Sequence, residues 1–199
     1  MVEDWNRYPF QKDETVLFDT NVWMKIFPRI ANPQGKNTYA DLLAKTLKVG
    51  TKVALDVLVL SEFVNAFSRR EYKRYQEKCA RGNLPVEGYK EFRNSAGYRS
   101  VAKDLSIAVK DLLQTPNLIK VDYNFSQINI SQIASWLVSQ DMDWNDRMIV
   151  ETCKRNSWVL VTDDGDYLGA GIKVLTGNVT FLTKAHKYVP PIHLTIRGK

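Results

Sequence analysis

The apolar run Val16-Leu17-Phe18 is followed directly by the polar residues Asp19-Thr20-Asn21. A second run with the same order, Val159-Leu160-Val161, is followed by Thr162-Asp163-Asp164. Short, continuous apolar runs of this kind are typical of strands that are buried on both faces of a parallel sheet. Sites in such sheets form in the crevice outside the carboxyl ends of the strands, so the acids after these two strands are expected to lie close together.

Strands and helices alternate along the chain, which predicts an α/β/α sandwich with a central parallel sheet. Further strands are predicted over residues 52–56, 118–121 and 172–175. Helices are predicted over residues 22–27, 38–49, 101–113, 128–138 and 147–155. A further helix is predicted after the second strand, where Leu60, Phe63, Val64 and Phe67 form an apolar stripe at helical spacing. A loop is predicted at residues 32–35. One domain is expected over residues 1–199, with a C-terminal surface tail over residues 184–199.

The composition is ordinary for a soluble globular protein but basic in balance. The 199 residues are 44% hydrophobic and 25% charged, with a net charge of +6, which suits a polyanionic partner. The two cysteines, Cys79 and Cys153, are too few and too far apart for a disulfide framework or a zinc site, so a reducing, cytoplasmic setting is expected. No signal peptide and no membrane span are expected, because no apolar run has the required length.

Residues 69–103 form a segment that we call the basic insertion, with ten Lys or Arg and four Glu. A turn signal at residues 81–85 predicts two helical arms with a break between them. The aromatic residues of the basic insertion are Tyr72, Tyr75, Tyr89, Phe92 and Tyr98.

The basic insertion has two interpretations. Its cations could neutralise phosphates while its aromatic rings stack on unpaired bases. The candidate nucleic-acid-binding residues are Arg69, Arg70, Lys73, Arg74 and Lys78. In the alternative interpretation, the segment is a helical hairpin with a solvated basic face. Its aromatic rings then pack on the domain or on a second copy of the chain, and the latter would give a homodimer.

The individual acids also have structural alternatives. Asp19 could cap the helix that follows its strand, a position at which Asp is favoured. Glu62 lies early in the helix after the second strand, where a solvated acid is favoured by the helix dipole.

Asp146 gives a stronger signal, because it shares an apolar helical face with Ile149, Val150 and Cys153. A carboxylate on such a stripe is not expected to serve solvation alone. Asp143 is expected to be the N-cap of this helix and is also a candidate metal ligand.

Asp163 and Asp164 begin a run that continues with Gly165 and Asp166. A turn accounts for some of these acids but does not require three of them. One or both of Asp163 and Asp164 are expected to bind a metal, and Asp166 is expected to cap a short helix.

Carboxylates that converge repel one another, so a cluster of them favours a bound cation. Hard divalent ions such as Mg²⁺ take carboxylate, water and phosphate oxygens, which points to metal-assisted chemistry at phosphorus. Other chemistries have little support in the sequence. The histidines, His186 and His193, are expected at the surface, and the sequence has no phosphate-binding loop and no nucleophile-elbow motif.

The order of these motifs resembles the PIN domain family, a metal-dependent nuclease fold used by VapC-type toxins and by many RNA-processing proteins. The resemblance rests on Val-Leu-Phe-Asp-Thr-Asn-Val at residues 16–22, Ser-Glu-Phe at 61–63, Asp-x-x-Asp-Arg-Met-Ile-Val-Glu-Thr at 143–152 and Trp-Val-Leu-Val-Thr-Asp-Asp-Gly-Asp-Tyr at 158–167. The resemblance extends from residue 15 to about residue 175. The basic insertion is a segment that the compact toxins of this family lack.

By position, the resemblance implies that the catalytic and metal-binding acids are Asp19, Glu62, Asp146 and Asp164. It implies supporting polar roles for Thr20, Asn21 and Thr162. The implied activity is hydrolysis of phosphodiester bonds in RNA, expected to be single-stranded, with Mg²⁺ or Mn²⁺ as cofactor. An antitoxin protein is an implied partner. Three alternatives stay open: a catalytically inactive nucleic-acid-binding protein of this fold, a DNA nuclease, and a phosphohydrolase of small molecules.

Overall fold

A computed structural model describes residues 1–27, 38–121, 128–136 and 142–189 of the chain. Within these residues, six parallel strands form one sheet in the order β1-β6-β5-β2-β3-β4. The strands are β1 (Val2–Asp4), β2 (Thr15–Phe18), β3 (Lys52–Leu55), β4 (Leu118–Lys120), β5 (Val159–Val161) and β6 (Val174–Thr176). The prediction of a central parallel sheet is confirmed, including all five predicted strands.

Helices connect these strands and cover the sheet. The helices that the structure describes are α1 (Thr20–Ile26), α2 (Thr38–Val49), α3 (Val57–Arg81), α4 (Tyr89–Asn94), α5 (Tyr98–Leu113), α6 (Ile130–Trp136), α7 (Trp144–Asn156) and α8 (Val179–Lys187), with a short 3₁₀ turn at Gly165–Tyr167. In the described residues, no helix combines the length and the apolar character needed to cross a membrane.

Strand β2 lies between β3 and β5, and its position determines where a site can form. Its Val16 pairs with Val53 of β3 on one side and with Val159 of β5 on the other, and all three side chains are buried. The chain runs from β2 to β3 and β4, and later returns to β5 on the opposite side of β2. This reversal opens a crevice at the carboxyl ends of β2 and β5, as is usual in open α/β sheets.

Strand β1 is not predicted from the sequence. Its residues Val2-Glu3-Asp4 pair with β6. The pattern expected of a buried strand is absent there because β1 lies at the edge of the sheet and tolerates polar side chains.

Helices α1, α5 and α7 begin earlier than predicted, and an aspartate caps two of them, α1 and α7. Asp19 is the N-cap of α1, which starts at Thr20, and Asp143 is the N-cap of α7, which starts at Trp144. Gly50 ends α2 with a positive φ of 86°, as its position predicts.

The basic insertion is a helical hairpin, but its arms differ from the prediction. The first arm is the second half of α3, which runs without interruption for 25 residues from the domain into the insertion. The second arm is divided into α4 and α5 by the segment around Gly97. Tyr98 on α5 is hydrogen-bonded through its hydroxyl to Ser68 Oγ on α3 at 2.8 Å, which joins the two arms.

The aromatic residues of the basic insertion pack against one another, which supports the structural interpretation of this segment. Phe92 is buried at the centre of the cluster, where its ring contacts those of Tyr72, Tyr75 and Tyr98. The hydroxyl of Tyr72 donates to the carbonyl of Glu87 at 2.8 Å. These rings therefore help to hold the hairpin together, and their stacking on unpaired bases stays a prediction.

The predicted C-terminal tail is helical where it begins. Helix α8 extends to Lys187, because Asn178 caps its first turn and Phe181 is buried against the core. His186 is exposed near the end of α8, as expected. Residues 190–199 with His193, the predicted loop at 32–35 and the end of the predicted helix at 137–138 lie outside the described residues.

Candidate active site

The predicted acids meet at the carboxyl edge of the sheet. Asp19 directly follows β2, and Asp164 lies three residues after the end of β5. Glu62 lies in the second turn of α3, the helix that follows β3, and Asp146 lies in the first turn of α7. Four separate elements thus bring four carboxylates to the crevice between β2 and β5 and to its rim.

Asp19 is the most buried of these acids, with 5% of its surface exposed. Its Oδ1 accepts a hydrogen bond from the backbone N–H of Thr20 at 2.6 Å, and its Oδ2 accepts from Thr162 Oγ1 at 2.6 Å and Asn21 Nδ2 at 2.5 Å. Burial raises the pKa of Asp19 from 3.8 to about 7. The hydrogen bonds from Thr162 and Thr20 act against this rise, and the charges of Glu62 and Asp146 add to it.

The predicted polar residues connect the acids. Thr20 Oγ1 lies 3.1 Å from Glu62 Oε2 and is placed to donate to it, so α1 and α3 are joined next to Asp19. Thr162 Oγ1 accepts from Asn21 Nδ2 at 2.8 Å and from the N–H of Asp164 at 3.0 Å while donating to Asp19. The hydroxyl and amide groups therefore fix the loop after β5 relative to β2.

Asp146 is half-buried at the start of α7. Its Oδ1 accepts a hydrogen bond from the hydroxyl of Tyr167 at 2.6 Å. Burial raises the pKa of Asp146 from 3.8 to about 6; the Tyr167 bond opposes this rise, and the charges of Asp143, Asp164 and Glu62 reinforce it. Asp143 is the N-cap, as expected, because its Oδ1 accepts from the N–H of Asp146 at 3.0 Å.

The two acids after β5 have different environments. Asp163 accepts hydrogen bonds from Lys25, Tyr39, Thr176 Oγ1 at 2.8 Å and the N–H of Gly177 at 3.3 Å. Burial acts to raise the pKa of Asp163, but the bonds from Lys25, Tyr39 and Thr176 outweigh it and the pKa is lowered. These partners lie on α1, α2 and around β6, so Asp163 joins elements of the fold and is not suited to the ligand role expected for it.

Asp164 caps the 3₁₀ turn Gly165–Tyr167, and its charge acts on Asp146. Its Oδ1 accepts from the N–H of Asp166 at 2.9 Å. The expectation that Asp166 caps a short helix is wrong, because Asp166 lies inside the turn that Asp164 caps.

In the described part of the chain, no Lys or Arg forms an ion pair with Asp19, Glu62, Asp146 or Asp164. A set of carboxylate oxygens, of which those of Asp19 and Asp146 have raised pKa values, offers the ligand type that a hard divalent cation prefers. In the described residues, no three acidic, cysteine or histidine side chains are already spaced as metal ligands. Hydrogen bonds from Thr20, Thr162 and Tyr167 hold the carboxylates of Glu62, Asp19 and Asp146, respectively, in their present positions.

The basic residues of the insertion differ in their distance from this cluster. Arg69 and Lys73 follow Glu62 by seven and eleven residues, which places them on the same face of α3, about 10 and 16 Å along the helix. Lys78 is about 24 Å from Glu62 along the axis and on another face.

Two of the predicted basic residues are engaged within α3. Arg70 and Arg74 both pair with Glu71, at 3.3 and 2.8 Å, and the Arg70 guanidinium also lies over the ring of Phe67. Within the predicted set, Arg69 and Lys73 are therefore the residues that lie on the Glu62 face of α3 and form no ion pair with Glu71.

Two residues of the site are not predicted from the sequence. Asp56 is fully buried and caps α3 by accepting from the N–H of Leu58 at 2.7 Å, which orients the helix that carries Glu62. An aspartate between an apolar run and a helical stripe is a recognisable signal for such a cap. Tyr167 contacts Asp146 from 21 residues away in the chain, and no local pattern indicates that contact.

Comparisons with known proteins identify the family and the fold of this chain. The family model described as PIN domain matches residues 16–172. The structure is similar to "VapBC2 from Rickettsia felis bound to a DNA fragment from their promoter", with a TM-score of 0.51 and 14% identity over 81% of this chain and 98% of that chain. At this identity the likeness shows the fold alone.

A second similar structure is FitAcB from Neisseria gonorrhoeae, with a TM-score of 0.45 and 17% identity over 80% of this chain and 96% of that chain, a score too low to support an argument. No match was found among curated proteins.

Proposed function

Because this chain belongs to the PIN domain family, we propose that it is a metal-dependent endoribonuclease that hydrolyses phosphodiester bonds of single-stranded RNA. The observation that carries the proposal is the convergence of Asp19, Glu62, Asp146 and Asp164 from four elements, without an ion pair to Lys or Arg in the described residues. Clustered carboxylates of this kind are the ligands used by nucleases that act through Mg²⁺ or Mn²⁺.

In this proposal the same four acids hold Mg²⁺ or Mn²⁺. When bound, such an ion activates water and offsets the negative charge that develops on the phosphate. Asp19 and Asp146 would bind the ion in their deprotonated forms, because metal ligands must be deprotonated, so their raised pKa values oppose binding at low pH. Asp143 is engaged as a helix cap and Asp163 in the contacts with Lys25 and Thr176, so we leave both out of the ligand set.

The chain's own side chains position and complete the reaction. Thr20, Asn21 and Thr162 keep the Asp19 and Glu62 carboxylates oriented through their hydrogen bonds. The attacking water loses a proton to a carboxylate and its oxygen forms a bond to phosphorus. The bond from phosphorus to the leaving oxygen of the ribose breaks, and that oxygen takes up a proton from solvent water. No histidine is required as general base in this scheme.

We propose that the substrate strand runs along α3, on the face that carries Glu62, Arg69 and Lys73. Both cations are exposed, and their alignment with Glu62 would let consecutive phosphates follow the helix. Arg69 also lies over the ring of Tyr89, at 5.3 Å from its centroid, which limits its rotation. Single-stranded RNA fits this row of cations because it has one phosphate backbone whose negative charges have to be neutralised.

The partners and setting are proposals as well. The resemblance to VapC-type toxins supports an antitoxin protein as a partner. Both cysteines are free and buried, which supports a reducing, cytoplasmic setting.

The experiment that tests the proposed function compares three substrates: a labelled single-stranded RNA, a single-stranded DNA of the same sequence, and a small phosphate ester. Each is incubated with the protein in Mn²⁺ and in EDTA. Cleavage of RNA that depends on Mn²⁺ is expected. Preferential cleavage of the DNA would indicate a DNA nuclease, turnover of the ester alone a phosphohydrolase, and binding without cleavage an inactive nucleic-acid-binding protein. Cleavage of RNA in EDTA would contradict the metal-dependent mechanism.

A further inference from the structure

Tyr167 places its only polar side-chain atom at the acid cluster, although 1% of the residue is exposed. Its ring packs in the hydrophobic core beneath the site. Its hydroxyl donates to Asp146 Oδ1 at 2.6 Å, a distance typical of a strong hydrogen bond from a hydroxyl to a carboxylate. A tyrosine needed only for packing would not require a polar partner among the proposed metal ligands.

The turn that carries Tyr167 is itself held by another of the four acids. Asp164 caps the 3₁₀ turn Gly165–Tyr167 by accepting from the N–H of Asp166 at 2.9 Å. The backbone N–H of Asp164 in turn donates to Thr162 Oγ1, which donates to Asp19. Asp19, Asp164, Tyr167 and Asp146 therefore form one continuous chain of bonded groups across three elements.

The hydrogen bond from Tyr167 engages one carboxylate oxygen of Asp146, Oδ1, and does not engage the other, Oδ2. In the described residues, no hydrogen bond reaches Asp146 Oδ2, whereas Oδ1 is held by the phenol. A carboxylate with one oxygen fixed can rotate little about its last torsion. Its second oxygen then faces a constant direction, which is how outer hydrogen-bond partners orient metal-binding carboxylates.

We propose that Tyr167 is a positioning residue of the active site, whose hydroxyl orients the Asp146 carboxylate for a divalent cation. This inference rests on the proposed function, since it assigns Asp146 as a ligand. It adds a residue outside the four acids and their supporting Thr and Asn side chains. Because the phenol is a donor at neutral pH, the orientation is maintained throughout the range in which the acids ionise.

The test is Tyr167→Phe, which keeps the buried ring and removes the hydroxyl alone. Tyr8→Phe is the matched control, because Tyr8 is also buried and its hydroxyl also donates to a carboxylate, that of Glu14. Glu14 precedes β2, so this control bond lies at the amino end of the strands, away from the acid cluster. Mn²⁺ affinity is measured by titration calorimetry, and kcat and KM are measured with a single-stranded RNA at subsaturating and saturating Mn²⁺.

Tyr167→Phe is expected to bind Mn²⁺ about tenfold more weakly than the wild type, the size of effect seen when an outer partner of a metal ligand is removed. KM for RNA should be unchanged, and the loss of kcat should be smaller at saturating Mn²⁺. Tyr8→Phe should keep wild-type Mn²⁺ affinity even if its melting temperature falls. Equal Mn²⁺ affinity in Tyr167→Phe and the wild type would overturn the inference.

A second variant keeps the inference testable if Tyr167→Phe alone perturbs folding. In the Asp146→Asn background no carboxylate remains at position 146 to be oriented, so adding Tyr167→Phe should weaken the residual Mn²⁺ binding no further. An undiminished effect of Tyr167→Phe in that background would show a general structural role and overturn the inference. If the wild type itself binds no Mn²⁺ and cleaves no RNA, the proposed function fails together with the inference. If the wild type binds Mn²⁺ and cleaves RNA, and Tyr167→Phe has the same Mn²⁺ affinity, only the inference about Tyr167 is refuted.

Discussion

Asp19 is the residue on which the electrostatics of the site depend most strongly. It is buried, it is hydrogen-bonded through both oxygens, and the charges of Glu62 and Asp146 act on it. Such a carboxylate is unfavourable in its charged form until a cation neutralises the cluster. The hydrogen bonds from Thr162 and Thr20 lower this cost but do not remove it.

The raised pKa of Asp19 predicts how stability depends on pH without metal. Its pKa is about 7 in the folded protein, against 3.8 as the ordinary value, so the folded state binds the proton more tightly than the unfolded state. The contribution of Asp19 to stability is therefore complete below about pH 4 and is lost as the pH rises to about 7. In EDTA, the melting temperature of the wild type should fall relative to that of Asp19→Asn as the pH rises from about 4 to about 7. If the melting temperatures of the two proteins change with pH in parallel, the raised pKa assigned to Asp19 is contradicted.

At this scale the sequence predicts residue types better than it predicts roles. Asp19 and Asp164 are found because each follows an apolar run, a pattern that is local in sequence. Asp163 shares the same pattern, but its environment is decided by Lys25 and Thr176, which are distant in the chain or on another strand. Tyr167 has no local signal at all, since its partner Asp146 lies on a different helix.

Among the elements, α3 connects the site to the basic insertion. One continuous helix of 25 residues carries Glu62 near its start and the basic side chains in its second half. The sequence predicts both segments but not their continuity, because the change in composition at Arg69 resembles a boundary. The absence of Gly and Pro from residues 57–81 is the signal that indicates one continuous helix. The helix is therefore the element that fixes the distance between each cation and the acids.

The alignment of α3 predicts which cations bind RNA. Arg69→Ala/Lys73→Ala should weaken RNA binding and reduce the slope of log K against log salt by about 1.4, since each phosphate contact of a single strand contributes about 0.7. The control Lys78→Ala/Arg81→Ala removes the same charge near the far end of α3 and should change affinity and slope much less. Binding is measured by fluorescence anisotropy across a salt series. Equal effects of the two double variants would place the substrate elsewhere.

The aromatic cluster predicts that the basic insertion is stabilised by its own core. Phe92→Ala removes the ring that contacts Tyr72, Tyr75 and Tyr98, and such a truncation of a buried Phe costs about 3–5 kcal/mol. Chemical denaturation should show this loss, while the Mn²⁺ affinity of the folded protein stays near that of the wild type. If Phe92→Ala has wild-type stability but loses RNA binding, the rings are available to bases and the packing interpretation is wrong.

For the whole molecule, the parallel sheet is what the sequence predicts best. Runs such as Val16-Leu17-Phe18 and Val159-Leu160-Val161 are buried on both faces of the sheet. Burial on both faces requires consecutive apolar residues, which can be recognised from the sequence alone. Strand β1 and helix α8 are missed because one is polar at the sheet edge and the other is short and basic toward its end. The order of the strands places β2 beside β5, and that adjacency makes a site out of acids that are more than 100 residues apart.

The most direct test of the central claim is single-turnover cleavage of a labelled single-stranded RNA in Mn²⁺ by a set of Asp→Asn variants. Asp19→Asn, Asp146→Asn and Asp164→Asn should each lose at least about 100-fold in rate, because loss of a ligand should exceed the loss of an outer partner. Asp166→Asn makes the same change two residues from Asp164, in an exposed side chain outside the cluster, and should keep wild-type activity. Wild-type rates in the three cluster variants, or an equal loss in Asp166→Asn, would contradict the proposed metal site.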